Sequence, residues 1–235
     1  MLKDNILAIG GFPLKRSGDT CIEKFIKLYD SILVAVDGGL NVFYRLNTVP
    51  DILIGDLDSL NQEALNWYLS QSKRLLLFQK DKDFLDMEAV LDLIKNEHVK
   101  RGRFFGVFGG RMDQSFACYS FLEKSYHYGI ELTIHDTDET MGIIKGPCER
   151  EFQTETGRNW SFLPLDEKVT GVTLRGFCYN IENEDLLRSQ ARGISNQSAK
   201  RVVNVNLTSG TIIYINNSGR SFYVECRKPF EKESE

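Results

Sequence analysis

With 235 residues, 42% of them hydrophobic, the chain has apolar material for one large core or two modest ones, and its length leans to one or two domains. A formal net charge of −4 argues against a nucleic-acid or anionic-membrane surface. Five scattered cysteines without a C-x-x-C pair, and three dispersed histidines, suggest neither a disulfide framework nor a zinc or histidine-based metal site. No apolar run approaches the ~18 residues of a membrane span, and the apolar start is too short for a secretory signal, so a reducing, cytoplasmic setting is expected.

Up to about Asp138, short apolar runs alternate with helical segments. NILAIGG precedes CIEKFIKLY, ILVAVDGG precedes NVFYRL, and DILIGD precedes QEALNWYLS, in which Trp67 is expected to pack. RLLLF, MEAVLDLIKNE, FFGVFGG, SFACYSFLEKSYHY and ELTIHD continue the series. Near-continuously apolar strands separated by helices predict a doubly wound, mainly parallel α/β domain, placed at residues 1–140. Beyond it the helical period disappears: MGIIKG, REFQTET, WSFLPL, VTLRGFCYN, VVNVNL, TIIYIN and SFYVECR read as strands, with TSG and NNSG as hairpin-like turns. Residues 141–235 are therefore expected to form a β-sandwich, ending in the charged tail KPFEKESE.

In an open parallel sheet, ligands bind outside the carboxyl ends of the strands. Acids and glycines gather there: Asp37-Gly38-Gly39, then Gly55-Asp56-Leu57-Asp58, then Asp81, Lys82, Asp83 and Asp86, then Gly109-Gly110-Arg111-Met112-Asp113. Asp83 has a structural alternative as a helix N-cap, with Asp86 in the first turn against the helix dipole. Asp56 and Asp58 have less use for that reading. On an extended segment their carboxylates share one side and repel unless a cation lies between them. Magnesium is the economical cation, since it takes hard oxygen ligands and is commonly shared with substrate phosphates. Gly38, Gly39, Gly109 and Gly110 would let backbone approach such a ligand, and Arg111 offers a planar cationic fork to phosphate oxygens. A Walker-type phosphate loop is absent from the sequence.

DGGLN (Asp37 to Asn41), PDILIGDLDS (Pro50 to Ser59), DKDFLD (Asp81 to Asp86), GGRMDQ (Gly109 to Gln114), NWSFLPL (Asn159 to Leu165) and GISN (Gly193 to Asn196) stand in the order of thiamine pyrophosphokinases, at about their separations. Over nearly its whole length the chain resembles that family. The resemblance implies transfer of the diphosphate of ATP to the hydroxyl of thiamine, in a homodimer whose active sites are shared between subunits. It implies magnesium on Asp56, Asp58 and Asp86, and a nucleotide and diphosphate region formed around Asp37, Gly38, Gly39, Asn41, Lys82, Asp83, Gly110, Arg111 and Asp113. Ser195 and Asn196 would contact thiamine across the dimer, with Trp160 either an aromatic wall or a β-domain core residue. Asp58 or Asp113 is a candidate base for the thiamine hydroxyl. Leu85 departs from the pattern, since the family commonly has Thr there. The same rim acids also suit a diphosphokinase for another acceptor, such as a hydroxymethyl-pterin, or a non-catalytic thiamine- or nucleotide-binding dimer.

Overall fold

The computed structural model describes residues 3–14, 16–57, 60–77, 85–95, 98–108 and 112–217. The chain divides into two compact units, Met1–Thr137 and Asp138–Glu235. In the first, β1 (Asn5–Ile9), β2 (Ser31–Val36), β3 (Ile52–Gly55), β4 (Arg74–Leu77), β5 (Arg101–Phe105) and β6 (Glu131–His135) pair with one another in parallel, in the order β6-β5-β1-β2-β3-β4. Every residue of β1 and β3 is buried, which explains their unbroken apolar sequence: both faces of these strands meet protein. β4 is the edge strand and is correspondingly more open, with Leu77 exposed.

The helices are α1 (Arg16–Leu28), α2 (Gly39–Arg45), α3 (Gln62–Leu69), α4 (Asp86–Ile94) and α5 (Met112–His127). In α4, Met87, Val90, Leu91 and Ile94 are buried at the i, i+3, i+4, i+7 spacing of one helical face. Lys124 of α5 reaches Glu88 at 2.8 Å and Asp92 at 3.0 Å, and Tyr128 donates to the same Asp92, which staples α5 to α4. Asp19 of α1 accepts two bonds from the guanidinium of Arg45 at the end of α2. Trp67 packs edge-on against Tyr44, tying α3 to α2.

The fifth strand differs from its sequence expectation. It starts at Arg101 and stops at Phe105, because Gly106 takes a φ of 62° and turns the chain away. The residues that leave this strand are therefore Gly106 and Val107, not Gly109.

The second unit is a β-sandwich. One sheet runs β12 (Asn196–Gln197), β9 (Asn159–Pro164), β14 (Thr211–Asn217), β7 (Glu139–Lys145), and the other runs β11 (Ile181–Leu187), β10 (Lys168–Arg175), β13 (Val202–Leu207), β8 (Cys148–Gln153), all antiparallel. Ile144, Phe152, Trp160, Phe162, Val172, Leu174, Val205 and Tyr214 fill its core. Two details correct the sequence reading. The TSG turn joins β13 to β14, which lie in different sheets, so it is a crossover and not a hairpin. The strand β11 went unread because its IENEDLL sequence buries only Ile181 and Leu186. It is an edge strand held by charged pairs such as Lys168 with Asp185 at 2.6 Å. SFYVECR and the charged tail lie outside the described residues.

Candidate active site

From β1 the chain steps outwards through β2 and β3 to β4, then returns to the other side of β1 as β5. The strand order reverses between β1 and β5, and such a switch point leaves a crevice at the strands' carboxyl ends. A cavity of about 270 Å³ opens there. Its wall contains Gly10, Gly11 and Phe12 after β1, Asp37 after β2, Gly106 and Val107 after β5, and Leu85 to Met87 at the start of α4. The main chain itself shapes the crevice: Gly10 donates to the Phe105 carbonyl at 2.8 Å and Phe12 to the Gly106 carbonyl at 3.1 Å. Gly39 must be glycine, since a Cβ there would overlap the Ile9 carbonyl where α2 begins against the end of β1.

Asp37 and Asp86 belong to the cavity wall, and Asp56 follows directly on β3. Asp86 opens α4, so its charge sits in the first turn with Glu88, where the helix dipole favours it. Leu85 holds the N-cap position with extended dihedrals and no side-chain cap, leaving the first turn without the hydroxyl that a threonine would bring. Asp113 is exposed in the first turn of α5, its carboxylate accepting from the Gln114 N–H at 2.9 Å. Asp58, Lys82, Asp83, Gly110 and Arg111 lie outside the described residues.

The acids of PDILIGDLDS serve opposite ends of one strand. Asp51, before β3, accepts from the Leu33 N–H at 3.1 Å and lies near the ammonium groups of Lys3 and Lys73. Burial pushes its carboxyl pKa up, but the Leu33 N–H and the two lysines together hold it below the ordinary value. Asp51 is structural, whereas Asp56 stands at the carboxyl end.

In the second unit, the core reading of Trp160 is the one the structure carries. Trp160 is fully buried, stacked on Phe162 and against Phe152, and forms no ligand wall. The reason is strand alternation: Trp160 and Phe162 are two apart on β9 and both face the sandwich interior. Asn196 is 3% exposed. Its amide accepts from the Tyr179 N–H at 3.0 Å and donates to the Tyr179 carbonyl at 2.7 Å, so it anchors a turn. Ser195 is exposed, with a φ of 57° and its N–H donated to Ser161 Oγ at 3.2 Å.

Gly10, Gly11, Gly106 and Gln114 were missed in sequence as part of the site. The signal existed for Gly10-Gly11, a glycine pair ending an apolar run like Gly38-Gly39. For a divalent cation, Asp56 and Asp86 offer only hard carboxylate oxygens, which fits magnesium, an ion that keeps several waters and shares phosphate ligands. Among the described residues no group of three or more His, Cys, Asp or Glu could hold a metal by itself.

Two family models match: "Thiamin pyrophosphokinase, catalytic domain" over residues 26–134 and "Thiamin pyrophosphokinase, vitamin B1 binding domain" over residues 148–212. A thiamine pyrophosphokinase of Bacillus subtilis is 23% identical over 189 residues, covering 80% of this chain and 88% of the relative. The fold of this chain is similar to that of the solved Bacillus subtilis thiamine pyrophosphokinase, with a TM-score of 0.81 at 21% identity over 91% of this chain and 99% of that one. The thiamin pyrophosphokinase of Geobacillus thermodenitrificans gives 0.77 at 26% identity, over 91% of this chain and 97% of that one.

Proposed function

The chain belongs to the thiamin pyrophosphokinase family, and from that premise we propose which of its residues do the chemistry. It is an ATP-dependent diphosphotransferase that moves the diphosphate of ATP to the hydroxyl of thiamine, giving thiamine diphosphate and AMP. The pairing of both family models on one chain disfavours a pterin acceptor or a non-catalytic binder.

Diphosphate transfer asks little covalent chemistry of a protein; it needs an in-line nucleophile and neutralised charge on the transferring group. Asp56, Asp58 and Asp86 would hold magnesium, which when bound neutralises phosphate oxygens. Arg111 and Lys82 offset the charge that shifts as the β-phosphorus leaves AMP. Gly38, Gly39 and Gly110 bring main chain close to the phosphates. Asp58 or Asp113 accepts the proton of the thiamine hydroxyl. Ser195 contacts thiamine from a second subunit in a homodimer. A cytoplasmic setting is in keeping with the scattered cysteines.

The observation that carries the reading is the cavity at the β1/β5 switch point with Asp37 and Asp86 in its wall. Purified protein given ATP, magnesium and thiamine is expected to release AMP and thiamine diphosphate in equal amounts. Asp56→Ala is expected to lower that turnover by at least about 100-fold while unfolding at the wild-type temperature. Near-normal turnover of this variant would remove Asp56 from the metal set.

A further inference from the structure

The side chains of DGGLN do not simply reach outwards. Asp37 Oδ1 accepts from the Asp56 N–H at 3.0 Å and from the Leu57 N–H at 3.4 Å. Four residues on, Asn41 Oδ1 accepts from the Asn61 N–H at 3.1 Å. The two bonds to Asp37 and the one to Asn41 thus fall on either side of the middle of the segment between β3 and α3. The backbone dihedrals agree with a held conformation: Asp37, Gly55 and Leu57 have φ of 45°, 142° and 64°. The Asp37 carboxylate occupies the space that a Cβ on Gly55 would fill, so glycine at 55 and aspartate at 37 fit only together. Asp37 is in turn fixed by its own main chain, donating its N–H to Ile54 at 2.8 Å and accepting from Leu40 at 3.0 Å.

We infer that Asp37 and Asn41 are positioning residues, a two-point clamp from the start of α2 that holds the main-chain N–H groups of Asp56, Leu57 and Asn61. Resting on the assignment of Asp56 to the reacting rim, the clamp explains how that carboxylate keeps its direction when the residues just before and after it, Gly55 and Leu57, sit at positive φ. The alternative role for Asp37, direct contact of its charge with ligand, makes a different prediction for the amide isostere. An Asn at 37 keeps an acceptor oxygen and tolerates positive φ, but carries no charge.

Hydrogen exchange of the 52–61 segment, measured without substrate or metal, separates the roles. Asp37→Ala is expected to speed exchange of the Asp56 and Leu57 amides by about tenfold or more, and Asp37→Asn to leave them protected. In turnover, Asp37→Ala is expected to lose kcat and to need more magnesium for half-maximal rate, and Asp37→Asn to lose clearly less than Asp37→Ala on both counts. Asn41→Ala, a substitution an α-helix accepts readily, is expected to speed exchange at Asn61 even if Asp37→Ala does not fold. Unchanged exchange in the alanine variants overturns the clamp. So does Asp37→Asn that stays protected yet loses activity as fully as Asp37→Ala, because the charge itself would then be acting. A wild-type protein that makes no thiamine diphosphate would defeat the functional assignment but leave the exchange result standing.

Discussion

Leu85 shows how one side chain can be read in two ways. In sequence it is a lost hydroxyl; in the structure it is an N-cap without a capping atom, its carbonyl accepting from Glu88 at 2.8 Å. Leu85→Thr is expected to stabilise the protein by about 1 kcal/mol, because a hydroxyl at the N-cap can accept a main-chain N–H of the first turn of α4. The urea midpoint should rise with an unchanged slope; a lower midpoint would mean that the apolar contact in the cavity wall outweighs the cap. Asp37, Asn41 and Asn196 carry a related lesson. Their residue types suit ligand binding, but each spends its oxygen on backbone N–H groups far along the chain, a use that motif spacing does not reveal. Buried thiols are simpler: burial pushes Cys21 and Cys118 up to about 12, so iodoacetamide at neutral pH is expected to label exposed Cys178 well before either.

At the scale of elements, β5 and β6 carry a polar cluster under α1 around the buried His135. His135 on β6 lies 4.8 Å from the Phe105 ring and 5.3 Å from Phe25, with Thr133 Oγ1 2.8 Å from its Nε2. Arg103 on β5 lies over Tyr29 at 3.9 Å and over Phe25 at 5.1 Å. Burial, and then the Arg103 charge, pull His135 down to about 3. The unfolded chain takes up this proton near pH 6.5 and the folded one does not, so the unfolded state binds more protons below that pH. The contribution of His135 to stability is therefore full above pH 6.5 and declines as pH falls, at up to about 1.4 kcal/mol per pH unit. His135→Gln is expected to flatten the acid limb of stability against pH by that slope, read from urea midpoints between pH 6.5 and 4. Equal slopes in the two proteins would show that His135 is protonated when folded. The strands and helices themselves were largely legible, since β1 and β3 are apolar throughout and α4 has one apolar face. β11 was not, because its two buried residues, Ile181 and Leu186, are five apart and break the two-residue alternation that marks a strand.

For the whole molecule, the proposed sharing of active sites between subunits has a direct test. Asp56→Ala and Ser195→Trp chains, each inactive alone, are expected to regain about a quarter to a half of wild-type activity as mixed dimers, because one of the two sites then receives both intact residues. No recovery in dimers confirmed to be mixed would count against a shared site. The order of an α/β unit before an antiparallel unit, and the acids Asp37 and Asp56 directly after β2 and β3, were determined by sequence alone. Hydrophobic period and side-chain chemistry are local properties, present before the chain folds. Only the tertiary structure decided that Trp160 is core, that TSG crosses between sheets, that Gly10 and Gly106 meet at the cavity, and that Asp37 grips the segment beyond β3. Those outcomes depend on which distant strands become neighbours and in what register, and pairing between distant strands is set by the packing of the whole unit.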